Sequence, residues 1–178
     1  MNSLRRVLCG GLTALACFSG SLSAQLLSDP DSAPAWKEGE YALPAAPGEA
    51  SLRPFFVSSA SPNRFLIDED TLSVSDDGVV RYVLVVRTPG GAQNVTFEGI
   101  RCGAGAWRIY ATGRPDGEWV PTRNGDWRPI VDTSYNRSRA ALALDYFCDG
   151  PAPPRDRAEV LRRLHDSGRP HDASNYVR

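Results

Sequence analysis

The sequence predicts an α+β domain: an antiparallel β-meander sheet packed by one helix, with a second C-terminal helix. Three observations carry this. Between Leu52 and Ile130, β-rich runs alternate with turn signals about every eight to twelve residues, which is meander spacing. No helical run interrupts them, and a parallel pairing would need such a crossover. After Ile130 the apolar pattern changes to a helical one.

The first strand is read in LRPFFVSS and the second in RFLID. TLSVSDDGVVRYVLVVRT is a hairpin around Asp76, Asp77 and Gly78. Thr88 to Gly91 makes the next turn, AQNVTFEGIRC the next strand and AWRIYATG the one after. EWVP and DWRPIV follow, separated by Asn124-Gly125. A four-residue turn at Thr88 to Gly91 pairs Arg87 with Ala92. It sets Tyr82 against Phe97, Leu84 against Val95, and Arg81 against Glu98 as a cross-strand ion pair. This register is preferred to one placing Tyr82 opposite Glu98, because it leaves one face wholly apolar. Ser138 to Phe147 reads as the covering helix, with Ala140, Ala141, Leu142, Leu144 and Phe147 on a wide face. Asp156 caps a second helix, RAEVLRRLH.

At the other end, residues 1–24 read as a signal peptide. Arg5 and Arg6 precede an uncharged stretch from Val7 to Phe18, and Leu22 and Ala24 stand where a signal peptidase inspects. The stretch is short for a membrane span. A retained N-terminal anchor and a lipid anchor at Cys17 are the alternatives. Residues 25–50 form an extended leader with four prolines, in which Trp36 and Tyr41 are placed to pin it to a surface; disorder is the competing reading. The sheet domain and its helix occupy 51–150, and the C-terminal helix and tail 151–178.

The 178 residues are 42% hydrophobic and 23% charged, which excludes a disordered chain and a membrane bundle. The net charge of -1 supplies no global basic field for nucleic acid. Removal of the signal leaves two cysteines, Cys102 and Cys148. In an oxidising compartment their default state is a disulfide, and neither has a histidine near it in sequence or a CxxC spacing for a metal.

SVSDDGVVRYVLVV, then NVTFEGIRC, WRIYATG, two spaced tryptophans and a helix ending DYFC resemble the cryptic neisserial protein family over roughly residues 34–165. The resemblance implies export, a bacterial envelope location and the Cys102–Cys148 pair. It implies no activity, ligand or catalytic residue.

Arg81, Glu98, Arg101 and Tyr110 are the candidate ligand-binding residues, because charge on central strands must be paired or wet. They form either a polar cleft for a small anionic or sugar ligand, or an ordinary solvated sheet face. The acidic stretch Asp68, Glu69, Asp70, Asp76 and Asp77 lacks Ca²⁺-loop spacing and reads as turn acids bonding their own backbone. The strand tryptophans read as core or hairpin packing; only Trp119 and Trp127, beside turns, are candidates for exposure and carbohydrate stacking. His165 and His171 lie in the tail, far from any catalytic arrangement. Residues 151–178 carry six arginines and four acids, a basic tail that docks on a partner or packs as an amphipathic helix.

The expectation is an exported, periplasmic, non-enzymatic envelope protein that binds an unknown envelope partner or ligand through its sheet face or tail. It has no cofactor, no metal, no nucleic-acid partner and no transmembrane span in the mature chain. A small periplasmic enzyme using Glu98 or the Asp68–Asp77 acids, and a structural accessory without a ligand, are the alternatives.

Overall fold

A computed structural model describes residues 35–166. The signal reading of 1–24, the lipid-anchor alternative at Cys17, His171 and the end of the tail lie outside the described residues. Eight strands form one antiparallel sheet among those described: β1 (Leu52–Phe55), β2 (Arg64–Asp68), β3 (Ser73–Val74), β4 (Val79–Arg87), β5 (Gln93–Arg101), β6 (Ala106–Gly113), β7 (Trp119–Pro121) and β8 (Arg128–Pro129). The order is β1-β2-β4-β5-β6-β7, with β3 beside β4 and β8 beside β6. Chain neighbours are mostly sheet neighbours, the meander that the turn spacing predicts. The bounds of RFLID and AWRIYATG are those read from the sequence.

The β4–β5 register differs from the expected one. Arg87 pairs with Gln93, Val83 with Phe97, and Tyr82 with Glu98, while Arg81 faces Gly99. The turn is one residue longer: the Thr88 N–H donates to the Ala92 carbonyl at 2.9 Å, and Gly91 takes a left-handed φ of 84°. The expected register rested on keeping one face wholly apolar. Both faces are in fact covered, and Glu98 is tolerable inside because a cation from the helix reaches it.

One face carries Val80, Tyr82, Leu84, Ile100 and Trp107. Against it packs α1 (Arg137–Ala141), which continues as a π-helical stretch, Leu142–Phe147. The Cys148 N–H closes the last wide turn on the Ala143 carbonyl at 3.0 Å. That five-residue step puts Leu142 and Phe147 on the same inward face, and each is fully buried. A side chain of this size contributes about 1.5–3 kcal/mol when buried. Leu144, expected on the buried face, is 75% exposed, because the wider turn rotates it outward.

Helix α2 (Arg157–Asp166) adds Val160 and Leu164 to the same core. Asp156 caps it as the sequence predicts, accepting from the Glu159 N–H at 2.7 Å, and Glu159 in turn accepts from the Arg155 N–H at 3.0 Å. Cys102, just past β5, and Cys148, just past the π-helical stretch, form a disulfide with Cα atoms 5.6 Å apart.

The opposite face carries Leu66, Val83, Val85, Phe97 and Tyr110. It is not an open wet face: the leader from Trp36 to Pro44 crosses it as an extended strap. Among the described residues no helix is long and apolar enough to cross a membrane.

Candidate functional site

The four predicted binding residues do not share one site. Strand alternation sends Glu98 to the helix-covered face and Arg81 to the strap-covered face. A bulge in β6 helps to sort the rest: Glu98 pairs with Ile109 and Phe97 with Ala111, leaving Tyr110 as the extra residue, aimed at the strap. Arg101 ends β5 and joins the strap side. The expected Arg81–Glu98 ion pair is absent, since the two side chains lie on opposite faces and each has another partner.

Under the helix, Glu98 is 0% exposed and satisfied from four directions. Arg139 Nε and Nη2 donate at 2.9 and 2.6 Å to its two oxygens, Thr96 Oγ1 donates at 2.7 Å, and Tyr82 Oη at 3.1 Å. The Arg139 guanidinium also lies 3.9 Å over the Trp107 ring. Burial and the Glu98 charge push the Tyr82 hydroxyl well up. Burial alone would lower Arg139, but the Glu98 charge and hydrogen bonds outweigh it. Sequence reading missed Arg139. Its signal was available: it is the cation within the Ser138 to Phe147 run that can meet an acid buried on the sheet.

Thr96 and Arg139 form the inner wall of a cavity of about 620 Å³. Phe65, Leu84, Val86 and Ile109 make its sheet floor. The loop around Ser61 and Asn63 makes one side and Tyr135 with Ser138 another, and Gln93 and Asn94 sit at the hairpin rim. Its two cations are both engaged, Arg139 by Glu98 and Arg137 by Asp132 at 3.5 Å. The remaining polar lining is uncharged, and Tyr135 offers a ring that is 67% exposed.

On the strap side, Glu38 is the hub. It accepts from Tyr110 Oη at 2.6 Å, Arg108 Nη1 at 2.6 Å, Trp127 Nε1 at 3.2 Å and Arg81 Nη2 at 3.3 Å. Burial raises its carboxyl, but the Tyr110 hydrogen bond and the Arg108 charge more than offset this and hold it below the usual carboxylate range. Asp77 behaves in the same way. Burial raises it, while Arg81 at 2.7 Å and the Gly39 and Val79 N–H groups bring it down. The Val79 contact is the turn-acid role expected of this stretch. Glu69 instead bridges Arg53 at 2.6 Å and His165 at 2.8 Å. Trp119 and Trp127, both part-buried, hold the strap, Trp119 Nε1 donating to the Pro44 carbonyl at 2.7 Å. Among the described residues no three His, Cys, Asp or Glu side chains are grouped to hold a metal.

A disulfide-tied antiparallel meander, with a helix on one face and a strap on the other, is the class of domain that these residues define. The family model described as the CNP1-like family matches residues 31–165, and the chain belongs to that family. It is 28% identical over 127 residues to Cryptic neisserial protein 1 of Neisseria gonorrhoeae, covering 61% of this chain and 63% of that protein, so the match spans less than two thirds of the relative's length. No solved structure matches the chain.

Proposed function

We propose that the chain is an exported cell-envelope protein that binds a small, uncharged polar ligand of the sugar or amide class in the cavity beside Thr96 and Arg139. The cavity itself carries this reading. Its volume is within the range of small-molecule sites, about 300–1,000 Å³. Its floor is apolar, its rim supplies amide and hydroxyl groups, and its one buried arginine, Arg139, is already neutralised by Glu98. Arg137 at the rim is exposed and paired with Asp132 at 3.5 Å, so the cavity interior offers a charged ligand no free counter-charge. A hydroxyl-rich one would meet Asn63, Gln93, Asn94 and Ser61, with Tyr135 beside them for stacking.

The role is binding and not proton transfer, because both oxygens of Glu98 already accept two hydrogen bonds each. Export is supported by the signal-like residues 1–24 and by the disulfide.

The test is calorimetry and thermal shift with neutral envelope sugars, amides and anionic controls, on the wild type and on Ala92→Trp, which adds bulk at a lining residue of the hairpin rim. Binding of a neutral ligand that Ala92→Trp abolishes supports the reading. Binding of anions alone, or unchanged binding in that variant, rejects it. Fractionation of the expressed full chain tests export.

A further inference from the structure

The strap is held unlike the rest of the fold. From Trp36 to Pro44 it has no helix or strand, makes no backbone-to-backbone hydrogen bond with the other described residues, and contains no buried residue. What lies beneath it is buried: Arg81 is 2% exposed, Phe97 3% and Tyr110 4%. Attachment is by side chains, in the manner of a bound peptide. Trp36 Nε1 donates to the Asp77 carbonyl at 2.8 Å, and its ring lies 3.7 Å from the Arg101 guanidinium. Glu38 enters the cluster of four donors, and the Tyr41 ring sits 4.2 Å from that of Tyr110.

We infer that the face beneath the strap is a peptide-binding groove, that the strap is its tethered and exchangeable occupant, and that its partner is an extended acidic peptide spaced aromatic–x–acid–x–x–aromatic. Charge complementarity favours a partner more acidic than the strap. Three guanidiniums, Arg81, Arg101 and Arg108, face two carboxylates, Glu38 and Asp77, and Arg101 rests on an indole and not on an acid. The aromatic walls, Tyr110, Phe97 and Trp127, set the spacing that a partner must match. A tethered occupant also lowers the apparent affinity of any competitor, so the groove binds in trans only where the partner outcompetes the strap.

The test uses the full chain and a labelled synthetic peptide copying residues 35–46. Glu38→Ala weakens the strap and should bind the peptide at least tenfold tighter than the wild type does. Adding Arg108→Ala to that variant should remove the gain, and a peptide with lysine at the Glu38 position should not bind. Equal binding by the wild type and Glu38→Ala overturns the inference, and so does an unfolded Glu38→Ala chain, since the strap would then be part of the core. In a second variant, Gly39→Cys with Asp77→Cys, a Cβ on Gly39 stands 3.7 Å from that of Asp77, a disulfide distance. Its oxidised form should bind no peptide, and binding there overturns the inference. A wild-type dimer that forms by exchanging straps, read by light scattering, would assign the groove to a second copy and overturn the partner assignment.

Discussion

Arg139 meets Glu98 side-on, with Nε and Nη2 each donating to a different oxygen of a carboxylate that has no contact with solvent. The pair joins the helix to the centre of the sheet across 41 residues of chain. Its geometry is the bidentate fork that makes guanidinium–carboxylate contacts directional.

Breaking this pair from either side leaves a buried charge without its partner. Glu98→Ala and Arg139→Ala are each expected to cost about 3–5 kcal/mol. Replacing both with apolar residues of similar volume is expected to recover much of that loss. Urea titration of the two single variants and the double variant measures it, and additive losses would show that the pair is not coupled.

Acid should loosen the strap. Glu38 and Asp77 are both held below the ordinary carboxylate range in the folded chain. Their stabilisation is therefore complete above the unfolded value, near about 4, and is lost as pH falls through the lowered folded values. Tryptophan fluorescence should report it, since Trp36 and Trp127 meet edge-on with centroids 5.8 Å apart. Glu38→Gln should lack most of the transition. An identical acid profile in that variant would remove Glu38 as its source.

Gly99 is small because Tyr110 lies over it. A Cβ there would stand 2.6 Å from the Tyr110 hydroxyl and 2.9 Å from its ring. Gly99→Ala should displace Tyr110 from Glu38 and cost about 1–3 kcal/mol as overpacking. Thermal melts of Gly99→Ala with and without Tyr110→Ala check this, the second change being expected to relieve the clash of the first.

Removing the disulfide with Cys102→Ala and Cys148→Ala should cost about 4 kcal/mol on the chain-entropy account of a loop this long. Denaturant titration with an unchanged midpoint would show that the non-covalent contacts, the packing of Leu142 and Phe147 and the Arg139–Glu98 pair, hold the helix without the disulfide.

Local signals made most of the sheet legible in the sequence. Turn chemistry and β-rich runs gave β2 and β6 to the residue, and Trp36 and Tyr41 marked the leader as a surface wrap. What escaped was decided by tertiary contact. The expected β4–β5 register rested on keeping one face wholly apolar, and the observed one instead buries Glu98 on a covered face where Arg139 meets it. Leu144 turned outward because of a π-helical step that no apolar pattern encodes. Glu38 escaped because an acid in a proline-rich leader looks solvated until Arg108 and Tyr110 are brought to it. Arg81 lies 5.6 Å from the Tyr110 ring and Arg101 stacks on Trp36 on the same side, but Glu98 belongs to the other face, and strand parity separates them only once the register is known.

The covering helix is fixed near both ends by unlike means. At Cys148 it is welded to the end of β5 by a covalent bond, and near its start it is pinned by the removable Arg139–Glu98 contact. The two ends therefore differ in what it takes to part them from the sheet. The Cys148 end cannot leave β5 without breaking a covalent bond, whereas the Arg139 end, which also walls the cavity, is held by non-covalent contacts alone. A ligand in the cavity would press on the reversible end of the helix and not on the covalent one.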